Sequence, residues 1–67
     1  MIILTKLNGI FFTLNCDLIE SIQENPDTTI HCTTGNLYIV KETMEQVVQK
    51  TVEYKRRIFQ NAIRGNF

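Results

Sequence analysis

The sequence predicts an α+β fold: a small antiparallel β-sheet of four to five short strands, followed by one long C-terminal α-helix. Residues 1–42 hold short runs of branched and aromatic residues separated by turn signals, which is the pattern of an antiparallel sheet. Residues 43–67 begin with a helix cap, and residues 44–63 contain neither glycine nor proline. Both parts are assigned to a single domain, because 67 residues are too few for two.

Five segments share a high content of β-branched and aromatic residues and are predicted as strands: residues 2–7, 10–14, 18–24, 28–33 and 37–40. Asn8-Gly9 is a strong hairpin signal, because both turn positions tolerate positive φ. The third segment fits a strand or one turn of helix by periodicity. We assign a strand there, because residues 25–27 close the segment with turn chemistry. Gly35 marks the last tight turn.

The helix is predicted from its start and from its apolar face. Thr43 and Gln46 have the spacing of a capping box, in which each side chain accepts the backbone N–H of the other residue. Gly65 suits the helix end. Apolar positions recur at three- and four-residue steps and mark one face: Met44, Val47, Val48, Thr51, Ile58 and Ala62, with Val52, Phe59 and Ile63 on one flank and Tyr54 on the other.

The predicted helix is longer than the sheet on which it packs. Twenty helical residues span about 30 Å, whereas short strands span about 17–20 Å, so its last turns should overhang the sheet. Small domains often gain stability from a subunit interface. We therefore expect a homo-oligomer, most simply a dimer, with Phe59, Ile63 and Phe67 in the interface.

No residues show the pattern of a catalytic, cofactor or metal site. Cys16 and Cys32 are isolated, whereas a zinc site usually has four closely spaced ligands. His31 beside Cys32 would point to the opposite face of a strand. We predict two buried thiols that act as small hydrophobes, no enzyme activity, no cofactor and no bound metal.

Charge and hydropathy guide the expected location and partners. The first residues lack the charged start and continuous apolar run of a signal peptide, and no run of about 18 apolar residues predicts a membrane span. We therefore expect a cytoplasmic protein. Seven basic residues balance seven acidic ones, which disfavours a nucleic-acid partner because such domains are usually basic.

The most distinctive charge cluster is Tyr54-Lys55-Arg56-Arg57. One interpretation is a solvated helix face, since cations near a helix C-terminus complement the helix dipole. The other is a docking patch for an acidic protein surface. Tyrosine and arginine are enriched at interface hot spots, so we predict these four as protein-binding residues.

An ordered series of residues resembles the FlbD-type flagellar proteins, also called SwrD-type swarming-motility proteins. The series covers roughly residues 1–57: Leu4-Thr5-Lys6-Leu7-Asn8-Gly9, Phe12, Leu14-Asn15, Asp17-Leu18-Ile19-Glu20, Ile22, Pro26-Asp27-Thr28, Ile30, Gly35, Tyr38, Val40, Glu42 and Tyr54-Lys55-Arg56. Lys6 stands where arginine is common, and the two cysteines lie outside the pattern. The resemblance implies a cytoplasmic motility factor associated with swarming and with the output of the MotA/MotB stator, without known enzyme activity.

The opening residues, 1–9, also resemble the start of the carbon-storage regulator (CsrA-type) proteins. Those are small, strand-rich RNA-binding dimers with a C-terminal helix. The later residues have no basic strand that pairs with a basic C-terminal segment in the places expected for that family, and a net charge of zero argues against phosphate neutralisation. A small RNA-binding regulator is the alternative function, and salt-dependent RNA retention would distinguish it.

Overall fold

The computed structural model describes the backbone of residues 1–63 and the side chains of residues 1–60. One turn of 3₁₀ helix, Cys16–Leu18, precedes the third strand. The other elements are β1 (Ile2–Thr5), β2 (Phe11–Leu14), β3 (Ile19–Glu24), β4 (Thr28–Cys32), β5 (Leu37–Val40) and α1 (Met44–Ile63). This α+β order confirms the predicted fold class, including the strand at the ambiguous third segment.

The five strands form two antiparallel sheets, β1–β2 and β3–β4–β5. The sheets meet at a single bridge between Lys6 and Val40, beside a 2.8 Å hydrogen bond from the Lys41 N–H to the Thr5 carbonyl. The bridge extends no further because the chain leaves the extended conformation at Lys6 and enters a turn. A continuous sheet would need several more pairs at this junction.

Two of the three hairpins, β1–β2 and β4–β5, are closed by loops of the same design. In the first, the Lys6 N–H donates to the Ile10 carbonyl and the Gly9 N–H donates to the Lys6 carbonyl, both at 2.9 Å. Gly9 has a φ of 90°, and among the described residues only glycines have positive φ. The hairpin predicted at Asn8-Gly9 is present, and of its two turn residues only Gly9 adopts the positive φ that both tolerate. A three-residue loop that ends in a left-handed glycine replaces the two-residue turn.

The second loop repeats these contacts between β4 and β5. The Cys32 N–H donates to the Asn36 carbonyl and the Gly35 N–H donates to the Cys32 carbonyl, both at 2.9 Å. Gly35 has a φ of 92°. Each loop thus depends on one glycine at the same position, because other residues pay a steric cost in the left-handed region.

The core lies between the two sheets and the first half of α1. Its buried apolar residues are Ile2, Leu4, Leu14, Cys16, Ile30, Cys32, Val40 and Val47. Both cysteines are buried free thiols, as predicted. The rings of Phe12 and Tyr38 stack with centroids 5.3 Å apart and link β2 to β5 across the gap between the sheets. The core is small, so each of its members contributes a large share of the burial.

The predicted capping box is present at the start of α1. The Thr43 N–H donates to Gln46 Oε1 at 2.9 Å, and the Gln46 N–H donates to Thr43 Oγ1 at 3.1 Å. A third contact joins the helix to the sheet, because the Met44 N–H donates to Glu24 Oε1 at 3.0 Å. These bonds satisfy backbone donors that a helix start leaves free and fix the helix against the end of β3.

The buried face of α1 is rotated from the predicted one. Val47 is fully buried, and Tyr54 packs partly buried against the core. The predicted face also contained Met44, Val48 and Ile58, which are 41%, 48% and 49% exposed. The apolar stripe is wider than the sheets that receive it, so only one side of it is covered.

Candidate interaction surface on the projecting helix

The second half of α1 extends beyond the sheets. Every side chain of residues 55–60 is exposed, and we call this part of the helix the projecting segment. The radius of gyration, 13.1 Å, exceeds the value of about 11 Å that a compact domain of this length would have. Residues 55–60 thus form an exposed part of the helix, and the overhang of the last turns stays a prediction.

Tyr54 stands at the boundary between the packed and projecting halves of α1. Its ring is half-buried and packs against the core. Of the four predicted protein-binding residues, Tyr54 therefore also holds the helix in place. A substitution at Tyr54 would disturb both the fold and any docking surface.

Lys55 is held by an ion pair with Asp17. The ammonium group contacts the Asp17 carboxylate, and both side chains remain more than half exposed. The hydrogen bond and the charge of Lys55 lower the pKa of Asp17, and the hydrogen bond to Asp17 raises the pKa of Lys55. Asn15 positions the carboxylate, because its side chain accepts the Asp17 N–H at 3.0 Å in the 3₁₀ turn. The cation of Lys55 is thus directed toward its own chain.

Arg56 and Arg57 are the cations that face solvent. Arg57 Nη2 lies 3.9 Å from Glu53 Oε2, and its side chain is 79% exposed, so this contact is loose. Successive helix residues point about 100° apart. The side chains of Arg56 and Arg57 therefore lie on neighbouring sides of the projecting segment. The structure separates the predicted cluster into two residues with internal contacts and two that are available to a partner.

An exposed apolar stripe runs along another side of α1. Its members Val48, Val52 and Phe59 are 48%, 43% and 65% exposed. Sequence analysis placed Val52 and Phe59 only on the flank of the buried face, whereas the structure leaves them uncovered. Phe59 therefore has the exposure expected of an interface residue. The Ile63 side chain and Phe67, the other predicted interface residues, lie outside the described side chains.

The stripe borders a groove of about 220 Å³ between α1 and the second sheet. The groove is lined by Cys16, Ile19, Ile22, Val48, Thr51 and Val52. Sequence analysis did not find this groove, because its two walls are far apart along the chain. The apolar residues Ile19 and Ile22 in a strand otherwise rich in polar residues were the only local signal.

Among the residues that the structure describes, no group of three or more histidine, cysteine or acidic side chains could hold a metal ion. Cys16 and Cys32 are 5% and 4% exposed. Within residues 1–63, no helix is long and apolar enough to cross a membrane. The described surface carries three features: a cationic helix segment, an apolar stripe and an apolar groove.

These features define a class of protein, a small two-sheet α+β domain with a projecting cationic helix. The sequence profile of the FlbD family, described as flagellar and swarming motility proteins, matches residues 1–59. The match covers most of the chain, so the protein belongs to the FlbD family, and the predicted resemblance is confirmed. No curated protein and no solved structure gives a significant match to the chain.

Several residues that carry the family resemblance have structural roles. Asn8 Oδ1 accepts the Ile10 N–H at 3.0 Å in the first loop, and Gly35 occupies the left-handed position of the second loop. Glu42 receives two hydrogen bonds from Thr5. The family pattern in residues 1–42 therefore maintains the two-sheet scaffold that supports α1.

Proposed function

We propose that this protein supports flagellar motility by binding another protein of the motility apparatus in the cytoplasm, without catalysis, and that this binding alters the output of the stator. Membership of the FlbD family supports the role in motility. The observation that carries the binding mode is the exposure of Arg56 and Arg57 on a helix segment that has no role in the core.

The chemistry of the two arginines favours an acidic protein surface. A guanidinium group offers paired donors that match a carboxylate, and such charge-assisted bonds are stronger than neutral ones. The projecting segment can enter a groove on a partner because all of its described side chains are exposed. Lys55 and Tyr54 support this docking by keeping the base of the segment in place.

The proposed function includes self-association through the projecting segment. Phe59 is 65% exposed, and covering an aromatic side chain is favourable by about 25 cal/mol for each Å² removed from water. Phe59, Ile63 and Phe67 form the proposed interface of a homo-oligomer. A second copy would also double the number of arginine pairs presented to a partner, which raises avidity.

A deletion strain tests the role in motility. We expect normal filament number and reduced swimming torque, which is the outcome for a protein that acts on motor output. Missing filaments would place the function in assembly or gene expression instead. Unaltered motility would contradict the proposal.

A charge-reversal variant tests the binding surface. R56E/R57E should reproduce the motility loss of the deletion while the circular dichroism spectrum stays unchanged. K41E/K50E is the matched control, because it changes net charge by the same amount at two exposed residues outside the projecting segment. If both variants lose motility equally, overall charge matters and the arginine pair has no specific role. If neither variant loses motility, Arg56 and Arg57 form only a solvated helix face and do not bind a partner.

The RNA-binding alternative has a separate readout. Binding through phosphates weakens steeply with salt, so the purified protein would retain RNA at low salt and release it as salt rises. We expect no retention at physiological ionic strength, because the net charge is zero. Retention that R56E/R57E abolishes would favour the alternative.

A further inference from the structure

We propose that the apolar groove between β3 and α1 receives Phe59 from a second copy of the chain, and that the second copy's groove receives Phe59 from the first. This inference rests on the proposed self-association and gives it a defined site. The groove, the stripe and Phe59 lie on the same side of α1. Two equivalent contacts in a symmetric dimer would therefore cover all three on both copies.

The size and lining of the groove suit a phenyl ring. Its volume is about 220 Å³, and an apolar cavity of about 150 Å³ accommodates benzene. The walls are aliphatic side chains of Ile19, Ile22, Val48 and Val52 beside the Cys16 thiol. Polar contacts are few there, so an aromatic side chain would replace water without leaving a hydrogen bond unmade.

A chain cannot fill its own groove with Phe59. Val52 and Phe59 are seven residues apart on one continuous helix, which places them about 10 Å apart along its axis. Bending the helix back would break its backbone hydrogen bonds. The occupant must therefore come from another molecule, and the same sequence offers an exposed ring of suitable size.

The spacing of the stripe fits a pair of antiparallel helices. Val48, Val52, Lys55 and Phe59 follow one another at steps of four, three and four residues, which is the spacing of a helix–helix seam. If two copies of α1 run antiparallel, Phe59 of one lies opposite Val48 of its partner, and Lys55 lies opposite Val52. Each copy contributes the same residues to the contact, so a closed two-fold dimer fills both grooves.

Lys55 would lie within the seam, where an unpaired charge would be unfavourable. The ammonium group already contacts Asp17 of its own chain, so it brings no unpaired charge toward the second copy. The methylene stem of a lysine can lie along apolar surface while its charged end stays in water. The seam would therefore be apolar at the level where the two helices cross.

The proposed interface is at the small end of the range for dimers. A phenylalanine can bury about 150–250 Å², and Phe59 is 65% exposed, so each inserted ring would cover on the order of 100 Å². Val48 and Val52 and the groove walls add to this on each copy. Interfaces below the standard size form weaker complexes, so association in the micromolar range is expected.

Light scattering and a dissociation curve test the contact directly. The full chain should have twice the monomer mass of 7.8 kDa at high micromolar concentration. F59D should raise the dissociation constant at least about tenfold, because a hot-spot residue is lost. Q60D is the matched control, since it adds the same charge at the next exposed residue, on another side of the helix, and should leave the constant unchanged. A monomer at all concentrations would overturn both this inference and the proposed self-association.

Cross-linking separates the site from self-association in general. With Cys16 and Cys32 first replaced by alanine, because Cys16 is a free thiol that lines the groove, equal amounts of V48C and F59C, mixed and oxidised, should give a covalent heterodimer, since one unmodified Phe59 contact remains in that pair. K50C mixed with R57C is the control on the far side of α1 and should not cross-link.

Cross-linking of F59C with itself would indicate parallel helices. A dimer without the V48C–F59C bond would place the interface elsewhere. Either result overturns the groove as the site and leaves self-association standing.

Discussion

Glu42 binds Thr5 through both oxygens of its carboxylate. The Thr5 N–H donates to Oε1 at 2.9 Å, and the Thr5 hydroxyl donates to Oε2 at 2.8 Å. The two residues are 37 positions apart in sequence, and their contact joins the start of α1 to β1 at the gap between the sheets. Partial burial opposes ionisation of Glu42, but the hydrogen bonds from Thr5 outweigh it, and the pKa of Glu42 lies below its ordinary value of 4.5.

The lowered pKa predicts an acid-sensitive contribution to stability. The folded chain binds the Glu42 proton less tightly than the unfolded chain does, so the contribution is complete above pH 4.5 and is lost as pH falls through the folded pKa. E42Q should cost about 1–3 kcal/mol at pH 7 and lose stability less steeply on acidification than the unmodified chain. Urea denaturation at several pH values measures both effects. E20Q, at an exposed strand position, should leave the pH profile unchanged; identical profiles for E42Q and the unmodified chain would contradict the assignment.

Two adjacent valines test which face of α1 is buried. Val47 is 0% exposed and Val48 is 48% exposed. V47A should lower the free energy of unfolding by about 2 kcal/mol, because it removes buried methyl groups and leaves a cavity. V48A should be near neutral in the monomer, since alanine also favours the helix. Thermal denaturation at low protein concentration makes the comparison, and equal losses would mean that the helix packs on a different face.

The second loop should tolerate little besides glycine at its left-handed position. Nothing lies within 4 Å of a Cβ built on Gly35, so the cost of a substitution there comes from the backbone alone. G35V should lose about 1–3 kcal/mol, because a β-branched residue resists positive φ. G35N should lose less, since asparagine enters this region more readily. If G35V unfolds at the same temperature as the unmodified chain but abolishes motility, the glycine has a functional role instead.

The capping box gives a smaller and separable effect. T43A removes the acceptor of the Gln46 N–H and should cost about 1 kcal/mol. T43S keeps the hydroxyl and should retain most of the stability. The two variants are compared by chemical denaturation. A loss in T43S as large as that in T43A would mean that the threonine methyl group, and not the cap, supplies the stability.

The parts of the fold that could be predicted from sequence are those determined by local chemistry. The hydroxyl of Thr43 and the amide of Gln46, three positions apart in sequence, were sufficient to define the helix start. Residues 25–27 correctly ended β3. The loop length of the first hairpin was harder to predict, because Asn8-Gly9 is compatible with more than one loop. The loop length depends on how Lys6 and Ile10 pair across the loop.

The parts that could not be predicted depend on long-range packing. Periodicity marked a broad apolar stripe on α1, but it could not show that Val47 would be covered and Val48 left open. That outcome depends on the width of the two sheets, whose backbones pair at Lys6 and Val40. For the same reason, the sequence could not show which cations of the basic cluster are paired, because the ion pair between Lys55 and Asp17 joins residues 38 positions apart.

The boundary at Tyr54 has a consequence for how sequences of this family can diverge. Residues 44–54 of the helix are constrained by the scaffold, so changes there are limited by the need to fold. Residues 56–60 are exposed and none belongs to the core cluster, so apart from the need to form a helix we expect restriction on them to come from what they bind. A saturation library selected first for folded protein and then for motility would show this directly. Positions 56–60 should accept most residues that favour a helix in the first selection, and should accept fewer residues in the second.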